Sequence, residues 1–286
     1  MDKKILLGKY NRLEIARLIV HGAILQAQSG EEVLLPKKWT PATAKVGDPL
    51  DVFIYTDSED RLIATTQKPK GILGDLVGLK VVDSTAIGAF LDWGLEKDLF
   101  VPKAEQKKSM QKGEYYVVRI GLDFRTNRLI GMGKFEHFLQ KTIDEDERDT
   151  WQEGKTVSIL IYEKTDLGYS AVVENRFWGL LYENEIFSPL QIGERKNAFI
   201  KKIRPDGKID LVLQAQGYRA TSERSDEILA KLQAAGGSLP FGDKSSAEEI
   251  LAHFQMSKRV FKQLIGKLYK EKKIVLTEKG IKLATQ

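Results

Sequence analysis

The sequence contains no cysteine, which excludes disulfide bonds, thiolate catalysis and thiolate zinc sites from this 286-residue chain. Apolar runs are short as well, and none approaches the roughly 20 residues that a membrane-spanning helix needs. The first residues lead into no apolar segment of the kind found in signal peptides. A cytoplasmic protein without a membrane partner is therefore expected.

Residues that could carry catalysis are equally sparse. The three histidines, His21, His137 and His253, do not stand at metal-ligand spacing from one another. Two glycine-rich segments, 71–74 and 131–134, match neither the GxxxxGK[ST] nor the GxGxxG phosphate-binding pattern, and turns alone explain their glycines. We expect no enzyme, no metal site, no cofactor and no small-molecule substrate.

Charge is nearly balanced, since 45 basic and 40 acidic residues give a net charge of +5. Many proteins without a nucleic-acid partner share such a mild excess. Its distribution is more informative, because residues 258–282 contain nine lysines and arginines but only two acidic residues. This local excess favours a polyanionic partner for the C-terminal region, although solvated helix faces also carry such charges.

One pattern occurs three times between residues 22 and 208. A glycine opens a β-type run, a second glycine follows 25 residues later, and a basic residue follows the first glycine by 39 or 40 residues. The copies are Gly22, Gly47 and Arg61; Gly88, Gly113 and Arg128; and Gly168, Gly193 and Lys208. Three copies in register indicate one small β module that has been repeated.

Each copy divides into short β-branched and aromatic runs separated by turn residues. A further run precedes each first glycine, at residues 13–20, 79–83 and 157–162. Every copy therefore predicts five strands in about 65 residues, which suits an OB-fold barrel, whose partly open face commonly binds oligonucleotides. We predict three tandem all-β OB-fold barrels.

The second copy resembles an S1-type RNA-binding domain in residues 88–92, in residues 98–102 and in Asp123 with Arg128. That family places an aromatic residue two positions after the glycine, a histidine 14 positions after it, and an Asp…Arg pair around the last turn. The other copies have similar spacing, so the resemblance covers residues 10–214. It implies that these S1-like modules bind RNA.

The three copies fill the family positions differently. The aromatic position holds Ile24, Phe90 and Ser170, the histidine position Pro36, Pro102 and Tyr182, the aspartate position Asp57, Asp123 and Arg204, and the basic position Arg61, Arg128 and Lys208. No copy keeps the histidine, and the first has no aromatic residue at either stacking position. Because stacking contributes about 1–3 kcal/mol per base, the first copy is predicted to be mainly architectural.

The second and third copies are the better candidates for RNA binding. An aromatic residue in a strand is also a common core residue, and basic residues after polar turns are commonly solvated. The recurrence of the basic residue at one repeat position favours the functional interpretation. The predicted RNA contacts are Phe90, Phe100, Arg119, Arg128, Trp178, Tyr182, Arg204 and Lys208, with Arg61 limited to phosphate contact. By strand parity, Trp93 is expected in the core or in loop packing.

Helical periodicity replaces the β pattern after residue 213. Ser222 or Ser225 is the predicted N-cap of a first helix, and further helices are predicted over 247–253 and 258–271. A hairpin is predicted at 274–283. Three helices followed by a hairpin resemble an α/β winged-helix domain.

The third predicted helix occupies the position of the recognition helix in helix-turn-helix proteins. It would present Lys258, Arg259 and Lys262 to nucleic acid, with Lys279 in the hairpin. Winged helices also bind RNA or proteins, so the fold alone does not assign DNA binding.

Three S1-like modules followed by a winged helix resemble the bacterial conserved virulence factor B family, the YitL-type S1 proteins. Predicted domain bounds are 1–68, 69–138, 139–216 and 217–286. The resemblance implies a non-enzymatic RNA-binding protein, with single-stranded RNA as partner, that regulates gene expression post-transcriptionally or more generally. Two alternatives stay open: a DNA-binding transcriptional regulator acting through the winged helix, and a protein-interaction scaffold.

Overall fold

The computed structural model describes residues 2–140, 143–186, 188–213, 218–277 and 280–284. The chain forms two compact units. One runs to Leu139 and includes Ile192–Glu194, and the other comprises Gln140–Gln191 and the chain from Arg195 onward. Within the described ranges, no helix has the length and apolar character needed to cross a membrane.

The first repeat is a closed barrel with the strand order β1-β2-β3-β5-β4. Its strands are β1 Tyr10–Ile19, β2 Gly22–Gln26, β3 Glu32–Pro36, β4 Pro49–Thr56 and β5 Leu62–Thr65. All neighbours are antiparallel except β3 and β5, which pair in parallel at Leu34 and Ile63. Alternate residues of β1 fill the interior, with Leu13 and Ile15 fully buried.

The second repeat has the same strands but stays open. They are β6 Leu76–Ser84, β7 Gly88–Asp92, β8 Leu99–Pro102, β9 Tyr115–Asp123 and β10 Arg128–Met132, in the order β10-β9-β6-β7-β8. No hydrogen-bonded ladder joins β8 to β10, whose residues are all described. A Cβ atom on Gly131 would lie 2.7 Å from the Cγ2 of Val101, so the Val101 side chain of β8 packs against the backbone of β10.

The third repeat is again a closed barrel, in the order β11-β12-β13-β15-β14. Its strands are β11 Thr156–Thr165, β12 Gly168–Val173, β13 Phe177–Tyr182, β14 Arg195–Ile203 and β15 Ile209–Val212. One 3₁₀ turn follows the third strand of every repeat, at Lys37–Trp39, Lys103–Glu105 and Glu183–Glu185. Two further 3₁₀ segments are Glu136–Phe138 and Glu145–Thr150.

The repeated glycines have a structural reason. A Cβ atom on the first glycine of each copy would lie within 2.4 Å of a carbonyl oxygen across the hairpin: Gly22 to Leu35 at 2.0 Å, Gly88 to Val101 at 2.4 Å and Gly168 to Leu181 at 2.0 Å. The second glycines have left-handed φ angles, which are 91° at Gly47, 89° at Gly113 and 83° at Gly193. The repeat inferred from sequence is therefore a repeat of backbone geometry.

The first two repeats share a hydrophobic core. Phe53 and Tyr55 of β4 belong to the same buried cluster as Trp93, Leu99 and the other interior residues of the second repeat. The rings of Phe53 and Trp93 meet edge to face with centroids 5.8 Å apart. Trp93 is 3% exposed, which confirms its predicted core position.

The C-terminal segment is a winged helix whose small sheet has the order β16-β18-β17. Its elements are α1 Tyr218–Ala234, β16 Ser238–Leu239, α2 Ala247–Phe254, α3 Lys258–Lys270, β17 Ile274–Thr277 and β18 Gly280–Leu283. The strand β16 was not predicted. The predicted start of α1 is wrong, because the helix begins before both serines proposed as caps and buries Ser225 in its interior.

Candidate nucleic-acid interface

The second and third strands of each repeat form a hairpin whose outer face is the region that OB-folds use for oligonucleotides. In every hairpin the first glycine pairs with the residue at the family's histidine position: Gly22 with Pro36, Gly88 with Pro102 and Gly168 with Tyr182. Side chains alternate along a strand, so the residue two positions after each glycine shares this outer face. The three outer faces therefore share the same backbone arrangement but carry different side chains.

The outer face of the second repeat carries two phenylalanines in contact. Phe90 of β7 and Phe100 of β8 are cross-strand partners, and their ring centroids are 5.1 Å apart at a tilt of 42°. Both are half-buried, whereas Leu91 and Val101 beside them fill the interior. The two rings form an apolar platform that suits stacking of an unpaired base.

Two loops of the second repeat carry exposed apolar side chains that were not among the predicted contacts. Ile87, in the loop between β6 and β7, is 70% exposed, and Phe124, in the turn between β9 and β10, is 95% exposed. These loops correspond to the two that flank the binding face of an OB-fold. The available signal was an aromatic residue between Asp123 and Arg125 in an otherwise polar turn.

Arg128 is engaged by the first repeat. Its guanidinium donates a hydrogen bond to the carboxylate of Asp60, in the turn between β4 and β5, and this contact raises the pKa of Arg128 above its ordinary value. The ammonium of Lys97 lies 3.9 Å from the same carboxylate and donates to the carbonyl oxygen of Asp57 at 2.6 Å. A ligand that uses Arg128 has to compete with Asp60.

Arg119 is separated from the phenylalanine pair. It lies on β9, and β6 stands between that strand and β7. Its guanidinium carbon is 3.9 Å from the centroid of the Phe138 ring, which it covers. The structure therefore does not bring Arg119 together with Phe90 and Phe100.

The outer face of the first repeat is aliphatic. Ile24 and Leu34 are cross-strand partners at the positions that Phe90 and Phe100 occupy in the second repeat. Arg61 donates through Nε and Nη2 to Asp57, at 2.9 and 2.7 Å, and lies 2.9 Å from Glu59. The hydrogen bond to Asp57 raises the pKa of Arg61, so this cation is already neutralised inside its own turn.

The third repeat joins an aromatic ring to a fixed guanidinium. Arg204 donates from Nη2 to the hydroxyl oxygen of Tyr182 at 2.6 Å and from Nε to Asp210 at 2.8 Å. Asp210 is buried on β15 and raises the pKa of Arg204. Asp210 was not predicted, although an aspartate inside an apolar strand was a visible signal. Asp210 holds Arg204 beside Tyr182 of β13. Arg204 occupies the repeat position at which the S1 family has an aspartate, so in this copy that position places a cation on the outer face.

Two lysines stand near this pair. The Lys201 ammonium is 5.7 Å from the centroid of the Tyr182 ring and is bonded to Glu185. Lys208 is an exposed residue whose ammonium lies 3.5 Å from Asp206 in the same turn. Together with Arg204 they place three cations near Tyr182, and each is paired with a carboxylate, that of Asp210, Glu185 or Asp206.

Trp178 lies further along β13, opposite Val172 of β12. Its ring is half-buried and lies with its centroid 5.3 Å from that of Tyr162. Parity places Trp178, Leu180 and Tyr182 on one side of the strand. The third repeat thus presents two aromatic rings on its outer face, at the two ends of the segment 178–182.

The third helix of the winged domain places its predicted cations toward solvent. Arg259 and Lys262 are exposed, and Lys258 is half-buried at the N-terminal end of α3. The Lys262 ammonium lies 2.8 Å from the Asp243 carboxylate. Lys279 lies outside the described residues. Within the described ranges, no group of histidine and acidic side chains is arranged to hold a metal ion.

Two family models match the chain. Residues 7–67 match the S1 domain, and residues 226–283 match the CvfB-like winged helix domain. The S1 match falls on the first repeat, whose outer face is aliphatic.

Two relatives are similar over most of the chain. Conserved virulence factor B of Staphylococcus aureus (strain USA300) is 28% identical over 293 residues, covering 98% of this chain and 97% of that protein. The uncharacterized protein YitL of Bacillus subtilis (strain 168) is 25% identical over 232 residues, covering 79% and 77%. A solved structure of a multidomain protein with nucleic acid binding domains from Streptococcus pneumoniae covers 97% of this chain and 98% of its own, with 22% identity and a TM-score of 0.46.

Proposed function

Because the chain belongs to the conserved virulence factor B family, we propose that it is a non-enzymatic protein that binds single-stranded RNA and regulates gene expression, post-transcriptionally or more generally. One observation carries the proposal: aromatic rings stand outward on the second and third hairpins, at the positions where OB-folds stack bases. RNA is the partner whose single-stranded bases are most often available for such stacking.

Stacking is assigned to Phe90, Phe100 and Tyr182, with Trp178 as a further platform. Each base stacked on an aromatic side chain contributes about 1–3 kcal/mol whatever its identity. Sequence preference should therefore be modest. The close Phe90–Phe100 pair favours one base at the second repeat, and Tyr182 favours another at the third.

Phosphate contact is assigned first to the third repeat. Arg204 is held in place by buried Asp210, and its guanidinium has further donors to offer a phosphate. Lys201 and Lys208 lie nearby, paired with Glu185 and Asp206, so each would have to exchange its carboxylate for a phosphate. Arg128 and Arg61 are assigned a smaller contribution, because Asp60 and Asp57 pair with them, whereas the carboxylate partner of Arg204 holds its guanidinium against Tyr182.

A double variant tests this assignment. Phe90→Ala combined with Tyr182→Ala removes one ring from each of the two repeats without opening a core, because both side chains face outward. The loss of two stacking contacts should weaken binding to single-stranded RNA by at least about tenfold. Fluorescence anisotropy with labelled homopolymer RNA measures this, and circular dichroism checks that the variant is folded.

Tyr115→Ala is the matched control, because Tyr115 is a similarly exposed aromatic residue that lies on β9, away from the β7–β8 hairpin. It should leave RNA affinity unchanged. Full affinity in the folded double variant would contradict the site assignment. Strong binding to duplex DNA that survives in the double variant would favour the regulator acting through α3, where Arg259 is exposed.

A further inference from the structure

Gly266 lies in the middle of α3, although glycine is among the least favourable residues in a helix interior. A Cβ atom built at this position would meet no atom of the rest of the molecule within 4 Å, so packing does not require glycine there. Its φ angle lies outside the left-handed region, so backbone conformation does not require glycine either. A missing side chain that the fold leaves unexplained points to a contact outside this chain.

The position of Gly266 is the centre of the outer face of α3. The buried residues of this helix are Phe261, Leu264, Ile265 and Leu268. With 3.6 residues per turn, or about 100° per residue, Gly266 lies about 150° around the helix from the centre of that buried set. It therefore faces away from the core to within about 30°.

Exposed polar and cationic side chains surround this bare stretch of backbone. Lys262 and Lys270 are four residues from Gly266, and Gln263 and Tyr269 are three residues from it, which makes them its neighbours on the helix surface. Arg259 lies two turns before it on the same face. Neither Arg259 nor Lys270 forms an ion pair with another residue of the described ranges.

The charge of this face of α3 indicates a negatively charged partner. Three cations and no acidic residue lie on it, and the Asp243 carboxylate contacts one of them, Lys262. The positive electrostatic potential of these cations favours binding of a polyanion. Phosphate groups also gain from a helix surface without side chains, because glycine allows a ligand to approach the backbone closely.

We propose that Gly266 is the point of closest approach between α3 and the phosphodiester backbone of a nucleic acid. Arg259 and Lys270 bind phosphates on either side of it, and the missing side chain lets the strand lie against the helix. Even a methyl group would hold the strand away and lengthen both contacts. This inference rests on the proposed nucleic-acid function and locates where the winged helix takes part in it.

The test uses Gly266→Ala and Gly266→Gln in the full-length chain. Each is made in the wild-type background and in the Phe90→Ala/Tyr182→Ala background, so that nucleic-acid contacts of the barrels do not mask those of α3. Probes of equal length are single-stranded RNA, duplex RNA and duplex DNA, and the probe that responds identifies the source of the phosphates. Both variants should raise the thermal unfolding midpoint, since alanine and glutamine are better helix formers than glycine. Affinity should fall about threefold for alanine and about tenfold or more for glutamine.

Ala252→Gln is the matched control, because it adds the same side chain at an exposed position of α2. It should leave affinity unchanged. Full affinity of both Gly266 variants for probes that the wild-type chain binds would overturn the inference and leave the proposed function standing. A lower unfolding midpoint would also overturn it, since the fold would then need the glycine. Failure of the wild-type chain to bind any probe in a salt-dependent manner would overturn both.

Discussion

Arg128 and Arg204 come from equivalent turns of two repeats, but their partners give them different roles. Arg204 is directed toward Tyr182 by Asp210, which lies six residues away in the same repeat. Arg128 is directed away from its own repeat by Asp60, 68 residues earlier in the chain. Burial also lowers the pKa of Lys97 beside Asp60. At this scale, carboxylates decide which cations are available to a phosphate.

Removing the charge of Asp60 should therefore release Arg128. Asp60 has a left-handed φ of 62°, which asparagine tolerates, so Asp60→Asn keeps the turn. The plot of log affinity for single-stranded RNA against log salt should steepen by about 0.7, the contribution of one phosphate contact to a single strand. Affinity at low salt should rise. Anisotropy titrations over a salt series measure both quantities.

Glu59→Gln controls for a general change in charge, because Glu59 lies in the same turn but contacts Arg61 at 2.9 Å. It should leave the slope nearly unchanged. Equal steepening in both variants would show a nonspecific effect of net charge, and no steepening in Asp60→Asn would exclude Arg128 from RNA contact.

Some secondary-structure elements could be predicted from sequence patterns alone. Strands and hairpins follow from the glycines, because Gly22, Gly88 and Gly168 each meet a carbonyl oxygen that excludes any side chain. The outward direction of Phe90 and Phe100 also follows, because alternation along a strand is local. These parts of the fold and of the candidate site were predictable from the sequence.

Other features depend on packing between distant residues and were not predictable. The open edge between β8 and β10, where the Val101 side chain lies close to Gly131, is one such feature. The start of α1 was placed too late, because Ser225 satisfies a cap pattern but its position is buried. The partner of Arg128 was missed because sequence spacing carries no information about a turn in another repeat.

The capping box of α2 gives a prediction about this helix. The Ser246 hydroxyl accepts from the Glu249 N–H at 3.1 Å, and the Glu249 carboxylate accepts from the Ser246 N–H at 2.7 Å. Ser246→Ala should lower the free energy of unfolding of the winged helix by about 1 kcal/mol. Urea unfolding followed by circular dichroism measures this change.

The same hydrogen bond lowers the pKa of Glu249. The stability that this carboxylate contributes is therefore complete above the ordinary pKa that it has in the unfolded chain and is lost as the pH falls through the lower folded pKa. Glu249→Gln keeps an acceptor but cannot titrate, so the unfolding midpoint should vary less with acid pH than in the wild type. Unchanged acid sensitivity would contradict the role of Glu249 in the cap.

Across the whole molecule, one backbone module appears with three different outer faces. The first is aliphatic at Ile24 and Leu34, the second aromatic at Phe90 and Phe100, and the third combines Tyr182 with fixed Arg204. The first repeat also contributes core residues and the carboxylate of Asp60 to contacts with the second. The differences among the three outer faces are therefore differences of side chains and not of fold.

The most direct test of the proposed function measures how the intact wild-type chain binds single-stranded RNA over a salt series. The comparison probes are single-stranded and duplex DNA of the same sequence. Outward aromatic rings beside fixed cations predict binding to single-stranded RNA that weakens linearly in a plot of log affinity against log salt. Duplex DNA should bind more weakly than single-stranded RNA. The absence of salt-dependent binding to single-stranded RNA would contradict the RNA-binding function and favour a protein-interaction scaffold.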